Sequence, residues 1–153
     1  MDILIRKATA ADYNAVKQLM DEVQRLHEEW RPDIYRTGGD FFPRSYFEEK
    51  AATGDFYAAE WDGKVIGVME LSVRHIESPS HVTRNVLFID SMAVAENHRG
   101  KGIGHRFFEE AKRLKTERKL DGIELQVNAK NRAAYEMYRK YGFTEKSINM
   151  ELL

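Results

Sequence analysis

Cysteine is absent from the 153 residues. That excludes a disulfide scaffold, a thiolate-ligated metal and a thiol nucleophile, and it fits a reducing compartment. Proline is scarce, at three, and ten glycines are spread thinly, so no linker or low-complexity tract divides the chain. No apolar run approaches the roughly 20 residues of a membrane span. Met1-Asp2-Ile3-Leu4 lacks the basic and apolar regions of a secretion signal. The expectation is therefore a cytoplasmic protein with no membrane partner. A charge excess is missing too: 24 basic and 25 acidic side chains leave a formal charge of -1. Phosphate contacts demand a basic excess, so no nucleic-acid partner is expected. The five histidines form neither H-x-x-x-H nor H-E-x-x-H, and no metal site is expected. What remains is ordinary globular composition, 42% hydrophobic and 32% charged. The length fits one domain over residues 1–153, with a core that needs no staple.

The periodicities give an element order. Residues 3–7 read as a short strand. Thr9 and Asp12 sit at capping-box spacing before Val16, Leu19, Met20, Val23 and Leu26, which recur at helical spacing and predict a helix to about Trp30. The aromatic stretch from Trp30 to Phe42 is irregular, and a short helix through Tyr46 and Phe47 follows Pro43. Residues 55–61 and 65–73 alternate as strands around Asp62-Gly63, a strong hairpin signal. After a polar loop at Ser78-Pro79-Ser80, residues 86–94 read as a strand. A helix starts at Gly102, a strand covers 123–127, and a helix over 132–141 ends at Gly142 as its cap. Phe143 onward can supply one or two final strands. The fold class is α/β in the α+β sense: a mixed, mostly antiparallel sheet of six to seven strands with about four helices on its faces.

Chemistry concentrates between Phe88 and Gly104. A strand ends, a short turn follows, and Gly100, Gly102 and Gly104 sit at the start of a helix. Such a start offers unpaired N–H groups and the positive end of the macrodipole. Glycine lets a bulky anion approach them. From residue 98 to 119 there are eight Lys/Arg and three Asp/Glu, so the region is locally basic. A phosphate or pyrophosphate ligand is the physical reading, with a ligand-free glycine turn as the alternative. Two known phosphate motifs fail. Lys101 is not followed by Ser or Thr, and no G-x-G-x-x-G can be completed.

Arg99-Gly100-Lys101-Gly102-Ile103-Gly104 matches R/Q-x-x-G-x-G/A, the signature of the GNAT superfamily of acyl-CoA N-acyltransferases. Met92-Ala93-Val94 resembles the strand preceding it. Asn131-Arg132-Ala133-Ala134-Tyr135-Glu136-Met137-Tyr138-Arg139-Lys140-Tyr141-Gly142-Phe143 resembles the family's second signature, N-x-x-A-x-x-L/M-Y-x-x-x-G-F. The two occur in the family's order, separated by one helix and one strand. They cover about residues 86–145.

The resemblance implies transfer of an acyl group, usually acetyl, from acetyl-CoA to a primary amine of a small molecule or peptide. It places the pyrophosphate on Arg99 to Gly104, the pantetheine amides along Met92, Ala93 and Val94, and Asn131 beside the pantetheine arm. The Val94 N–H is the oxyanion-hole candidate. Tyr138 falls at the general-acid position, with an aromatic wall residue as the other reading. A primary amine has a pKa of about 10.4 and must lose a proton before it attacks. Gln126 stands where N-terminal acetyltransferases of the family carry a Glu, and it cannot take that proton. Asp90 matches the Glu of polyamine-acetylating relatives. A strand alternates faces, so Asp90, Met92 and Val94 point one way and Ile89 and Ser91 the other. A structural Asp bonded to a neighbouring backbone group or to Arg74, and a water wire with no single base, are the alternatives. Residues 21–40 hold six acidic and three basic residues, which hints at a cationic acceptor or is simply a solvated face. A non-catalytic acyl-CoA-binding or sensor module is the competing function, and similar proteins are often homodimers.

Overall fold

The computed structural model describes residues 2–153. Its elements are β1 (Leu4–Lys7), α1 (Tyr13–Trp30), α2 (Arg44–Ala52), β2 (Phe56–Trp61), β3 (Lys64–Ser78), β4 (His81–Val94), α3 (Ile103–Glu117), β5 (Gly122–Leu125) and α4 (Arg132–Tyr141). The strands make one sheet in the order β1-β2-β3-β4-β5. The first three pairings are antiparallel, and β4 with β5 is parallel. That last pairing is parallel because α3 carries the chain back across the sheet, the crossover a parallel pair requires.

Each face of the sheet has its own core. On one face Met69, Leu71, Leu87 and Ile89 pack against Phe107, Phe108, Ala111 and Leu114 of α3. On the other, Phe56, Ala58 and Val68 pack against Val16, Leu19 and Met20 of α1 and Phe47 of α2. Phe47 and Phe107 are wholly buried, and a buried side chain of that size stabilises by about 1.5–3 kcal/mol. The hairpin turn between β2 and β3 has positive φ at both Asp62 and Gly63, the geometry that matches the twist of flanking strands. Thr9 and Asp12 do form a capping box, but on a 3-10 turn over Ala10–Asp12, so α1 proper starts at Tyr13. The Asp12 carboxylate also takes two hydrogen bonds from Arg6, at 2.8 and 3.0 Å, tying β1 to that turn.

Among the described residues the sheet has five strands, not six or seven. The stretch after Phe143 forms none. Ile148, Met150 and Leu152 alternate as a strand would, yet they are 74, 88 and 99% exposed. Side-chain ties hold this segment instead: Lys146 to Glu124 at 3.0 Å, and Glu151 to Arg31. β3 and β4 run longer than their apolar alternation, because the outer part of their hairpin is exposed and polar. No helix among the described residues is long and apolar enough to cross a membrane.

Candidate functional site

The sheet opens at one place. β5 pairs with β4 only from Val86 to Ile89, while β4 continues to Val94 along β3. Five residues of strand, about 16 Å, therefore run on with no strand neighbour on the β5 side among the described residues. The free edge can be oriented. Ala95 N–H donates to Ile66 O of β3 at 2.8 Å. Successive backbone groups of a strand face opposite edges, so the N–H groups of Val94 and Met92 face the opening. The Val94 carbonyl accepts from Arg99 Nε at 2.9 Å.

The start of α3 lies just beyond. Gly100 and Gly102 have φ of 75° and 82°, and nothing lies within 4 Å of a Cβ built on either. Only glycine takes this backbone without strain, and the turn is open. Gly102 caps α3 without a side-chain hydrogen bond, and the first helical bond runs from Arg106 N–H to Gly102 O. The amides of Ile103, Gly104 and His105 thus precede the helical ladder. Gly104 serves packing as well: its Cβ would lie 3.0 Å from Met137 Sδ of α4, so the glycine lets α3 and α4 approach. Arg99 and Lys101 are exposed.

Asp90 departs from the expected alternation. Glu70 pairs with Ser91 and Leu71 with Ile89, so Asp90 is the extra residue of a β-bulge. The bulge resets the phase. Ile89, Met92 and Val94 all pack on the α3 face, whereas Asp90 meets Arg74 at 3.5 Å on the face that carries α2. Arg74 also lies 3.3 Å over the Phe88 ring. The Arg74 partner considered in the sequence is therefore present.

Beside the bulge sits a cluster that the sequence reading missed. Glu70 is only 4% exposed, and its Oε2 accepts from Lys50 Nζ at 2.7 Å and from the Tyr46 hydroxyl, both on α2. Burial, reinforced by the Glu70 carboxylate, pushes the Tyr46 hydroxyl up to about 12. Burial is the largest single influence and disfavours the Lys50 charge, but the hydrogen bond to Glu70 and the charges of Glu70 and Asp90 together outweigh it and raise the Lys50 pKa above the usual lysine value. The only sequence signal was a charged residue in the apolar run of β3.

Tyr138 is half-buried on α4, its ring edge-on to Phe108 and Phe143 at 5.8 Å each. Burial raises its pKa above the ordinary phenol value. It packs against the same core as Met92 and Val94. Tyr138 and Asp90 are thus on opposite faces of the sheet at the opened edge. Asn131 caps α4, its Oδ1 accepting from Ala134 N–H at 3.2 Å, and its Nδ2 has no partner among the described residues. Gln126 is exposed just past β5.

The model of the Acetyltransferase (GNAT) family matches residues 17–143. The chain belongs to the GNAT acetyltransferase family. It is 32% identical over 94 residues to a streptothricin acetyltransferase of Escherichia coli, a match covering 61% of this chain and 49% of that protein. It is 28% identical over 143 residues to a mycothiol acetyltransferase of Tsukamurella paurometabola, covering 90% of this chain and 47% of that one. The chain therefore spans about half the length of these curated relatives. Among solved structures, a variant of the BH1408 protein from Bacillus halodurans superposes with a TM-score of 0.91 at 27% identity, over 98% of both chains. The aminoglycoside acetyltransferase AAC(6')-Iy, bound to a bisubstrate analogue of CoA, superposes at 0.76 with 17% identity, over 100% of this chain and 98% of that one. This second likeness is one of fold. The GNAT signature residues 99–104 and 131–143 both lie within or beside the opened edge of the sheet.

Proposed function

We propose that this GNAT chain, as one domain over residues 1–153, is an N-acetyltransferase that moves an acetyl group from acetyl-CoA to a primary amine of a small molecule or peptide. The observation that carries the reading is the unpaired edge of β4 running into the start of α3, whose first amides have no side-chain cap. It fits the ligand's chemistry. A pantetheine arm carries amides that need backbone partners, and Met92, Ala93 and Val94 offer a strand edge. A pyrophosphate needs convergent donors, and Arg99, Gly100, Lys101, Gly102, Ile103 and Gly104 supply two cations and a helix start. The Nδ2 of Asn131 adds a donor for the arm. Acetyl-CoA, when bound, supplies an activated thioester carbonyl.

The chain's own groups then divide the work. The Val94 N–H faces the opening and stabilises the carbonyl oxygen as negative charge develops on it. Asp90, on the α2 face, takes the proton of the incoming amine, directly or through water. Tyr138, on the α3 face, holds its proton at neutral pH and gives it to the departing thiolate. With one group on each side of the opened edge, the amine's proton and the thiolate's proton are handled by different residues as the tetrahedral adduct forms and collapses. The streptothricin, mycothiol and aminoglycoside enzymes similar to this chain favour a small amine as acceptor. Exposed Ile148, Met150 and Leu152 favour a homodimer.

A matched pair of variants tests the cofactor placement. Gly102→Asn and Gly102→Asp carry the same positive-φ strain, about 1 kcal/mol, at an open site. Only Asp sets a negative charge at the helix start. Calorimetry should show acetyl-CoA bound at least tenfold more weakly by the Asp variant than by the Asn variant, with equal melting temperatures. Equal affinities would remove the pyrophosphate from this turn.

A further inference from the structure

Arg99 is exposed, yet its Nε turns back on the chain and donates to the Val94 carbonyl five residues earlier, at 2.9 Å. The peptide unit between Val94 and Ala95 is held at its other end too, by Ala95 N–H to Ile66 O at 2.8 Å. His98 N–H to Ala95 O at 2.8 Å and Arg99 N–H to Glu96 O at 3.3 Å close the residues between into a turn. The end of β4 is thereby fastened to the start of the glycine turn. Within an extended strand, the N–H and C=O of one residue face the same edge. The carbonyl that Arg99 holds and the Val94 N–H that faces the opening therefore belong to one residue. The torsion angles of Val94 set where that N–H points, and Arg99 restrains them.

We propose that Arg99 is a positioning residue for the Val94 amide, joining the oxyanion donor to the phosphate turn in one guanidinium. This rests on the acetyl-transfer reading above. The side chain suits two tasks at once. Its Nε is the donor used on the Val94 carbonyl, and among the described residues neither Nη has a partner. A guanidinium can spend one donor on a backbone carbonyl and two on a phosphate oxygen, with its charge always present. Neither common replacement does both. The glutamine amide nitrogen occupies the same place along the side chain as Arg Nε, so it can hold the carbonyl, but it carries no charge. Lysine keeps the charge, but its ammonium lies one atom further out and has no planar fork.

Arg99→Gln and Arg99→Lys separate the two tasks. The Gln variant should bind acetyl-CoA about tenfold more weakly, with kcat at saturation within about twofold of wild type. The Lys variant should keep its acetyl-CoA affinity within about threefold but lose kcat by about 10- to 100-fold, the range for a misplaced oxyanion donor. Melting temperatures check that both variants stay folded. The nitrogen–proton resonance of the Val94 amide gives a readout that needs no turnover. It should move in the Lys variant with CoA bound and stay in place in the Gln variant. A Lys variant with wild-type kcat and an unmoved Val94 resonance would overturn the proposal, and so would equal losses in both variants. If wild-type protein turned over no amine at all, acetyl transfer would be lost. The Val94 resonance would still decide the role of Arg99.

Discussion

If Asp90 is the base and Tyr138 the acid, as proposed, they handle opposite protons from opposite faces of the sheet, and their pH signatures should differ accordingly. As the proposed acid, Tyr138 acts when protonated. Burial raises its pKa above the ordinary phenol value, so the alkaline fall in kcat that it causes should lie above pH 10 or so. Tyr138→Phe should abolish that fall and lower kcat by about 10²-fold, the usual loss for a general acid, while acetyl-CoA affinity stays unchanged. Unchanged kcat with chemistry rate-limiting would reduce Tyr138 to a wall residue. Asp90→Asn should lower kcat/KM most at low pH and recover partly as pH rises towards the amine's own pKa, where the acceptor arrives uncharged. If Asp90 serves only as the partner of Arg74, the shape of the profile will not change. That pair is partly exposed, 48 and 26%, so its loss should hardly move the melting temperature. One pH–rate series on both variants separates acid, base and bystander.

At the scale of elements, the buried charge that holds the entry to α1 makes a separate prediction. Arg6 hydrogen bonds, with a backbone bond from Thr9, keep the Asp12 carboxyl below the usual carboxylate range against the opposing effect of burial. Its side chain is 10% exposed. The folded pKa lies below the unfolded value of about 3.9, so this contribution is present above that pH and is lost as pH falls through the folded pKa. Asp12→Asn should cost about 1.5–3 kcal/mol at neutral pH, and its stability should then fall less steeply with acid below pH 4 or so. Denaturant melts from neutral pH to pH 2 check this. Parallel curves for both proteins would show that Asp12 is not held as described.

Elements with a local cause could be read from the sequence. Asp62-Gly63 needs positive φ twice, Gly142 ends α4 at φ 126°, and the glycines before α3 announce their backbone in their own residue type. The bulge at Asp90 has no such mark. It comes from how β3 and β4 pair, and a strand that changes phase looks like ordinary alternation in one sequence. The cluster of Glu70, Tyr46 and Lys50 was hidden for the same reason, since its members lie 20 and 24 residues apart. The outer part of the β3–β4 hairpin buries little, so it left no apolar period to find. Ile148, Met150 and Leu152 erred the other way. Their alternation suited a strand, but among the described residues no strand pairs with their backbone.

For the whole molecule, the proposed function depends on one continuous feature: a sheet that opens where two sequence signatures meet, with the Val94 N–H on its edge and Asp90 and Tyr138 on its two sides. An open edge alone serves a binding module as well as an enzyme, and turnover separates the two. The most direct measurement incubates purified protein and acetyl-CoA with polyamines, aminoglycosides, streptothricin, amino acids and peptides bearing a free N-terminus. It follows thiol release and checks each amine for an added acetyl group by mass spectrometry. The account predicts that at least one amine is acetylated in step with CoA release, and that Gly102→Asp suppresses both. Tight acetyl-CoA binding with no thiol release and no acetylated product across that panel would contradict it, and would make the chain an acyl-CoA-binding module.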